Sequence, residues 1–161
     1  MPTITTAPPG RDPLSLLLAA RGFADPAIQS AIRAGYELLQ EFMAAFNARD
    51  ARRWARVMHY PHVRLAAGTV QIWQDEAAYA ASNDLDAFAA GGWAYSAWDR
   101  IEPVQAAADK LHFALRFTRY DSAHAAISSH EALYVLTFEN GRWGVQSRSS
   151  YAGIAIAGAA F

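Results

Sequence analysis

Apolar positions recur at helical spacing over the first third of the chain and at strand spacing over the last half. Ile28, Ile32, Tyr36, Leu39, Met43 and Phe46 fall one turn apart, and Ala31 and Phe42 widen the same stripe. Asp25-Pro26 stands before them, an N-cap acceptor followed by proline at the first helical position. A long helix is expected from there to about Ala48. Asp50 then caps a short helix, Ala51 to Met58, which carries Trp54, and the tight joint reads as a helical hairpin. Upstream, Asp12-Pro13 opens the apolar run Leu14 to Ala20, a further short helix.

After Tyr60-Pro61 the period changes. His62 to Ala67 and Thr69 to Trp73 read as two short strands around a turn at Gly68. Asp75-Glu76 starts an Ala-rich helix that ends at Gly91-Gly92. The rest is strand-like: Trp93 to Ala107, broken by Pro103; Lys110 to Asp121; Ala126 to Glu139; and Arg142 to Tyr151. Asn140-Gly141 is a strong hairpin signal. In the last strand Trp143, Val145 and Ser147 fall on one face, with Gly144, Gln146 and Arg148 on the other. Helices followed by a mostly antiparallel sheet indicate an α+β fold. The sheet is expected to be strongly twisted, a cone wrapped around the long helix in a barrel-like way, its concave face apolar and roomy enough for a ligand. The expected organisation is an N-terminal extension over 1–24, whose first eleven residues, Thr- and Pro-rich, are expected to be disordered, one domain over 25–152, and an apolar Gly/Ala-rich tail over 153–161 that docks or frays.

Composition narrows the function. The chain has 161 residues, 53% of them apolar, which suits one folded domain and excludes a disordered one. Fourteen basic residues against 15 acidic ones leave a net charge of −1, so neither nucleic acid nor an anionic membrane surface is an expected partner. There is no cysteine, hence no disulfide, thiolate metal site or Cys nucleophile. No run approaches the ~20 apolar residues of a membrane span. The run at Leu14 is too short and too poor in preceding basic residues for a secretory signal, so a cytoplasmic location is expected. No phosphate-binding loop, dinucleotide fingerprint or nucleophile elbow occurs, and no cofactor is expected.

Candidate chemistry sits where strands carry polar side chains. His59 and His62 are three residues apart, a spacing that on a strand sends the rings to opposite faces, so no metal site is expected. His62 and Arg64 share one face of the first strand, His112, Arg116 and Thr118 one face of another, Gln146 and Arg148 one face of the last; Arg119 is a further strand cation. If these faces coincide they form a cationic pocket floor, with arginine holding an anionic or enolate-like oxygen and Asp99 pairing with His62 as an acid–base dyad. The same residues also fit a solvated sheet surface laced with ion pairs. Asp99 follows Trp98, and its carboxyl is either desolvated by aromatic neighbours or paired with an arginine. Aromatic residues, among them Trp73, Tyr95 and Trp98, suit either core packing or the walls of a site for a flat ligand.

The order of elements and several local sequences resemble the nuclear-transport-factor-2-like superfamily, which includes ketosteroid isomerase and SnoaL-type cyclases. The resemblance covers roughly residues 28–152. It rests on Phe46-Asn47-Ala48-Arg49-Asp50 with Trp54, on Tyr60-Pro61-His62-Val63-Arg64 leading into Gly68, on Arg116-Phe117-Thr118-Arg119-Tyr120, and on Gly141-Arg142-Trp143-Gly144-Val145-Gln146-Ser147-Arg148-Ser149-Ser150. It implies the cone fold and a homodimer. Ketosteroid isomerases carry a base carboxylate just before the turn of the first strand, where this chain reads Arg64-Leu65-Ala66-Ala67-Gly68. Their helical tyrosine donor corresponds to Tyr36. Without the carboxylate, ketosteroid isomerisation is not implied.

Two functions stay open. One is a cofactor-free acid–base isomerase, dehydratase or cyclase acting on an apolar or aromatic molecule, with His62 and Asp99 moving protons. Arg64, Arg116 or Arg148 would hold an oxyanion, and Tyr36, His59, Trp73, Tyr95 and Trp98 would line the site. The other is a non-catalytic ligand-binding or dimerisation module built on the same cone.

Overall fold

The computed structural model describes residues 12–66 and 68–152. The expectations for residues 1–11 and 153–161 lie outside the described residues. Three aspartates set the starts of the first three helices. Asp12 caps α1 (Pro13–Ala20), Asp25 caps α2 (Pro26–Asn47) and Asp50 caps α3 (Ala51–Arg56), each side chain accepting from a backbone N–H of the first turn. α2 buries Ala31, Ile32, Gly35, Leu39, Phe42, Met43 and Phe46, the face the periodicity marks out.

β1 (Met58–Ala66) and β2 (Thr69–Trp73) form the first hairpin. The single helix expected next is two, α4 (Glu76–Ser82) and α5 (Leu85–Ala90). The break has a local cause. Ser82 and Asn83 both turn their side chains back to donate to the Tyr79 carbonyl, and Asp84 caps a new helix at Ala87 N. Then follow β3 (Tyr95–Ala106), β4 (Lys110–Tyr120), β5 (Ala126–Glu139) and β6 (Arg142–Ser150). β3 runs through Pro103, which an edge strand tolerates, with a register shift beside it. Asn140 and Gly141 both have positive φ, 52° and 77°, the turn expected from that pair.

The fold is α+β, as the sequence indicates. The six strands make one twisted sheet in the order β2-β1-β6-β5-β4-β3, antiparallel at every step except β1–β6, which is parallel. α2 lies against the concave face. At Gly35 it comes so close that a Cβ would stand 2.8 Å from the Leu111 and Phe113 side chains, which would have to shift to admit one. No helix among the described residues is long and apolar enough to cross a membrane.

Candidate functional site

Alternation along each strand decides which side chains face α2. On β4 the buried residues Leu111, Phe113, Leu115 and Phe117 share one parity, and Arg119 continues it inward. On β1 the inward set is His62, Arg64 and Ala66. On β6 alternation fails. The register shifts between Val135 and Leu136 of β5, and Gln146 is the extra residue, so Val145 and Arg148 are both buried. The expected sharing of one face by Gln146 and Arg148 is therefore corrected. Gln146 bonds Thr137 and the Pro61 carbonyl instead.

Arg148 is the centre of the interior. Its Nε donates to His62 Nε2 at 3.0 Å and its Nη2 to the Tyr79 hydroxyl at 2.8 Å. The guanidinium carbon stands 5.4–5.9 Å from the rings of Trp54, Phe42, Tyr79 and Tyr134, so aromatic faces surround it. His62 is fully buried, and its Nδ1 lies 2.9 Å from the Val145 carbonyl. A carbonyl only accepts, so Nδ1 carries the proton and Nε2 is the lone-pair nitrogen facing Arg148. Burial first, then the Arg148 cation, hold the His62 pKa down to about 3. The imidazole is neutral at physiological pH. Arg64, the register neighbour of Arg148, donates to Gln71 Oε1 at 2.9 Å. Arg119 lies 5.1 Å from the Phe88 ring centre. The concave face is thus not purely apolar as expected: aromatic rings surround a polar, cationic centre.

The structure brings together His62, Arg64, Trp73 and Arg148 of the candidate residues. The Trp73 ring stands 5.9 Å from His62 and 5.0 Å from Tyr79. Trp98 also faces inward, donating to the Leu39 carbonyl and meeting Tyr134 edge-on. The His62–Asp99 dyad is not assembled. Asp99 is on β3 and His62 on β1, four strand spacings apart in the sheet, or roughly 19 Å. Asp99 also faces the convex side, with a third of its side chain exposed, where it accepts from Thr118 Oγ1 at 2.6 Å. Its carboxylate is not desolvated by Trp98, because that ring points the other way. Arg116 shares the convex side, close to Asp99 and Glu131. So the face of β4 expected to floor a pocket, with Arg116 and Thr118, is the outer one. Tyr95 is also outside, stacked on Tyr120 at 4.9 Å. Tyr36 donates to the Ile101 carbonyl and borders a cavity of about 480 Å³ with Leu14, Arg33 and Glu37, away from Arg148.

His59 lies on the face opposite His62, its Nδ1 2.8 Å from Thr137 Oγ1. It is buried all the same, because the ring lies across Gly144, where a Cβ would come within 2.5 Å. Gly144→Ala is expected to cost about 1–3 kcal/mol by forcing ring or strand to shift. Urea denaturation measures this, and unchanged stability would mean the ring moves aside freely.

Tyr79, Tyr134 and Trp54 belong to the interior without having been singled out as site residues, and Arg119, noted only as a strand cation, joins them. Arg119 was legible from the parity of β4. Tyr79 was not, since its place depends on how α4 packs.

No family model and no curated protein sequence matches the chain. Solved structures do. An NTF2-like protein with a cystatin-like fold from Novosphingobium aromaticivorans matches with a TM-score of 0.65 at 15% identity, over 93% of this chain and 96% of that one. A ketosteroid isomerase-like protein from Erwinia carotovora atroseptica matches with a TM-score of 0.56 at 17% identity, over 74% and 93%. An NTF-2 like protein of unknown function from Shewanella oneidensis matches with a TM-score of 0.56 at 10% identity, over 76% and 99%. At such identities the likeness establishes the fold, which is the nuclear-transport-factor-2-like cone.

Proposed function

We propose that this nuclear-transport-factor-2-like cone is a binding module for a small apolar or aromatic molecule, held beside the buried chain Tyr79–Arg148–His62, and not an acid–base enzyme working through His62 and Asp99. The observation that carries this is the state of His62. Both ring nitrogens are engaged, and the imidazole resists protonation down to about pH 3. A general base needs a nitrogen within reach of the substrate and a pKa near the working pH. Asp99 does not take over the task, since it lies on the other face. What the interior offers is fixed donors and aromatic rings, the ingredients of recognition.

The module is proposed to act as a homodimer. Leu65, Val70, Ile72 and Leu133 are large apolar side chains left exposed on strands β1, β2 and β5, and a second copy of the same sheet would cover them. Native mass spectrometry of the purified full chain tests both parts. The expected spectrum shows twice the chain mass with a small molecule that leaves on denaturation. A monomer at micromolar concentration sinks the dimer. A bare chain that no apolar ligand stabilises against heat sinks the binding reading.

A further inference from the structure

The two longest-separated tethers of α1 frame a second place for a small molecule, apart from the buried chain Tyr79–Arg148–His62. A cavity of about 480 Å³ lies between α1 and α2, lined by Leu14, Arg33, Tyr36 and Glu37. That volume is inside the range of small-molecule sites. α1 is tied down at both ends. At its N-cap, Arg33 Nη2 donates to both carboxylate oxygens of Asp12, at 2.6 and 2.7 Å, and Gln29 donates to the Ser15 carbonyl. At its C-cap, Arg21 bonds Glu102 of β3 at 2.5 Å. The cavity therefore belongs to the docked fold and is not a gap left by a loose helix.

Its walls combine apolar surface with one ring. Leu14 is half-buried, and Leu17, one turn further on, is 52% exposed, so apolar surface continues along that face of α1. The Tyr36 ring is fixed from two sides, edge-on to Phe113 at 5.4 Å and through its hydroxyl on the Ile101 carbonyl at 3.3 Å. Burial raises the Tyr36 pKa, so the phenol is neutral at pH 7. The charges around the ring do not cancel. Arg33 is neutralised by Asp12, whose carboxyl the Arg33 hydrogen bond holds well below the usual range. Arg21 and Glu102, the charged groups that act on Tyr36, neutralise each other. Glu41, one turn beyond Glu37, is paired with Arg53 at 2.6 Å. Glu37 forms no ion pair among the described residues, so the wall carries one uncompensated negative charge. An anion is repelled there and a cation is attracted.

We propose that this cavity binds an organic ammonium ion with a short apolar or aromatic body, the cation between the Glu37 carboxylate and the Tyr36 ring, the body against Leu14 and the exposed side of Leu17. A carboxylate and an aromatic ring together favour a cation over a neutral polar group. Because Glu37 is exposed, its share is modest and falls with added salt.

The test is an NMR titration of the full chain at pH 7 and low salt with phenethylamine, 2-naphthylmethylamine and hexylamine, each set against the alcohol of the same skeleton. At least one amine is expected to move the Leu14 methyl and Tyr36 ring signals and to bind about threefold or more tightly than its alcohol, a preference that high salt removes. Glu37→Gln should bring that amine down to the affinity of its alcohol and leave the alcohol unchanged. Leu14→Trp, which fills the cavity, should abolish both; the exposed Glu37 position covers a tryptophan variant that fails to fold. An alcohol that binds as tightly as its amine overturns the ammonium ion. An amine preference that survives Glu37→Gln overturns the role of Glu37. Signals that move only around Arg148 overturn this site and leave the binding reading of the cone standing. No movement with any probe overturns the cavity as a binding site.

Discussion

Lowering the pH below about 6.5 is expected to destabilise the protein, with His62 as the largest single cause. In the unfolded chain its imidazole has the ordinary pKa of about 6.5. In the fold, burial and the Arg148 cation hold it down to about 3. A group with a depressed folded-state pKa favours the folded state in full only above its unfolded value, so the contribution is complete above about pH 6.5. It declines as the pH falls and levels off near 3, because only the unfolded chain takes up the proton in between. Over roughly 3.5 units at about 1.4 kcal/mol per unit, the loss is on the order of 5 kcal/mol. His59 and His130, both lowered chiefly by burial, act in the same direction. Urea midpoints measured from pH 8 to pH 4 check this. His62→Gln keeps an acceptor for Arg148 and does not titrate, so most of the slope should vanish in that variant. An equal slope in both proteins would show that His62 is solvated or charged in the fold.

Trp54→Ala should cost about 3–5 kcal/mol, the range for removing a fully buried large aromatic residue, and lower Tm by roughly 10 °C in a domain of this size. Trp54 lies on α3, fully buried, with ring centres 5.4 Å from Phe42, 4.9 Å from Phe46 and 5.2 Å from Tyr79. It is also one of the faces against Arg148. Truncation therefore removes packing area and opens a void beside a buried cation. Trp54→Phe keeps most of the ring and should lose about half as much. Guanidinium denaturation followed by far-ultraviolet circular dichroism reads both variants. A cost below about 1 kcal/mol for the alanine variant would mean that α3 is not docked on the cone.

Local chemistry was easy to read. Asp12, Asp25 and Asp50 were identifiable as helix starts because a cap is made within four residues of itself. Asn140-Gly141 was identifiable because its turn depends on two backbone angles. Asn83-Asp84 was misread as helix interior because two competing caps inside an Ala-rich run look like ordinary polar positions. The candidate site was only partly legible. His62 and Arg64 were placed on one face, and that face is the inner one. On β4 the polar set of Arg116 and Thr118 stands out locally, while the apolar parity of Leu111 to Phe117 points at Arg119.

From the chain alone came the α+β class, the helix that fills the cone and the strands that wrap it, since propensity and periodicity are properties of short segments. The tertiary structure alone decided which polar side chains meet. One residue bulged opposite β5 turned Arg148 inward, and a parallel pairing placed Arg64 beside it. The strand order carried Asp99 far from His62. Register and strand order are set by pairing between distant segments, and a slip of one residue exchanges the two faces of a strand, so no local pattern holds that information.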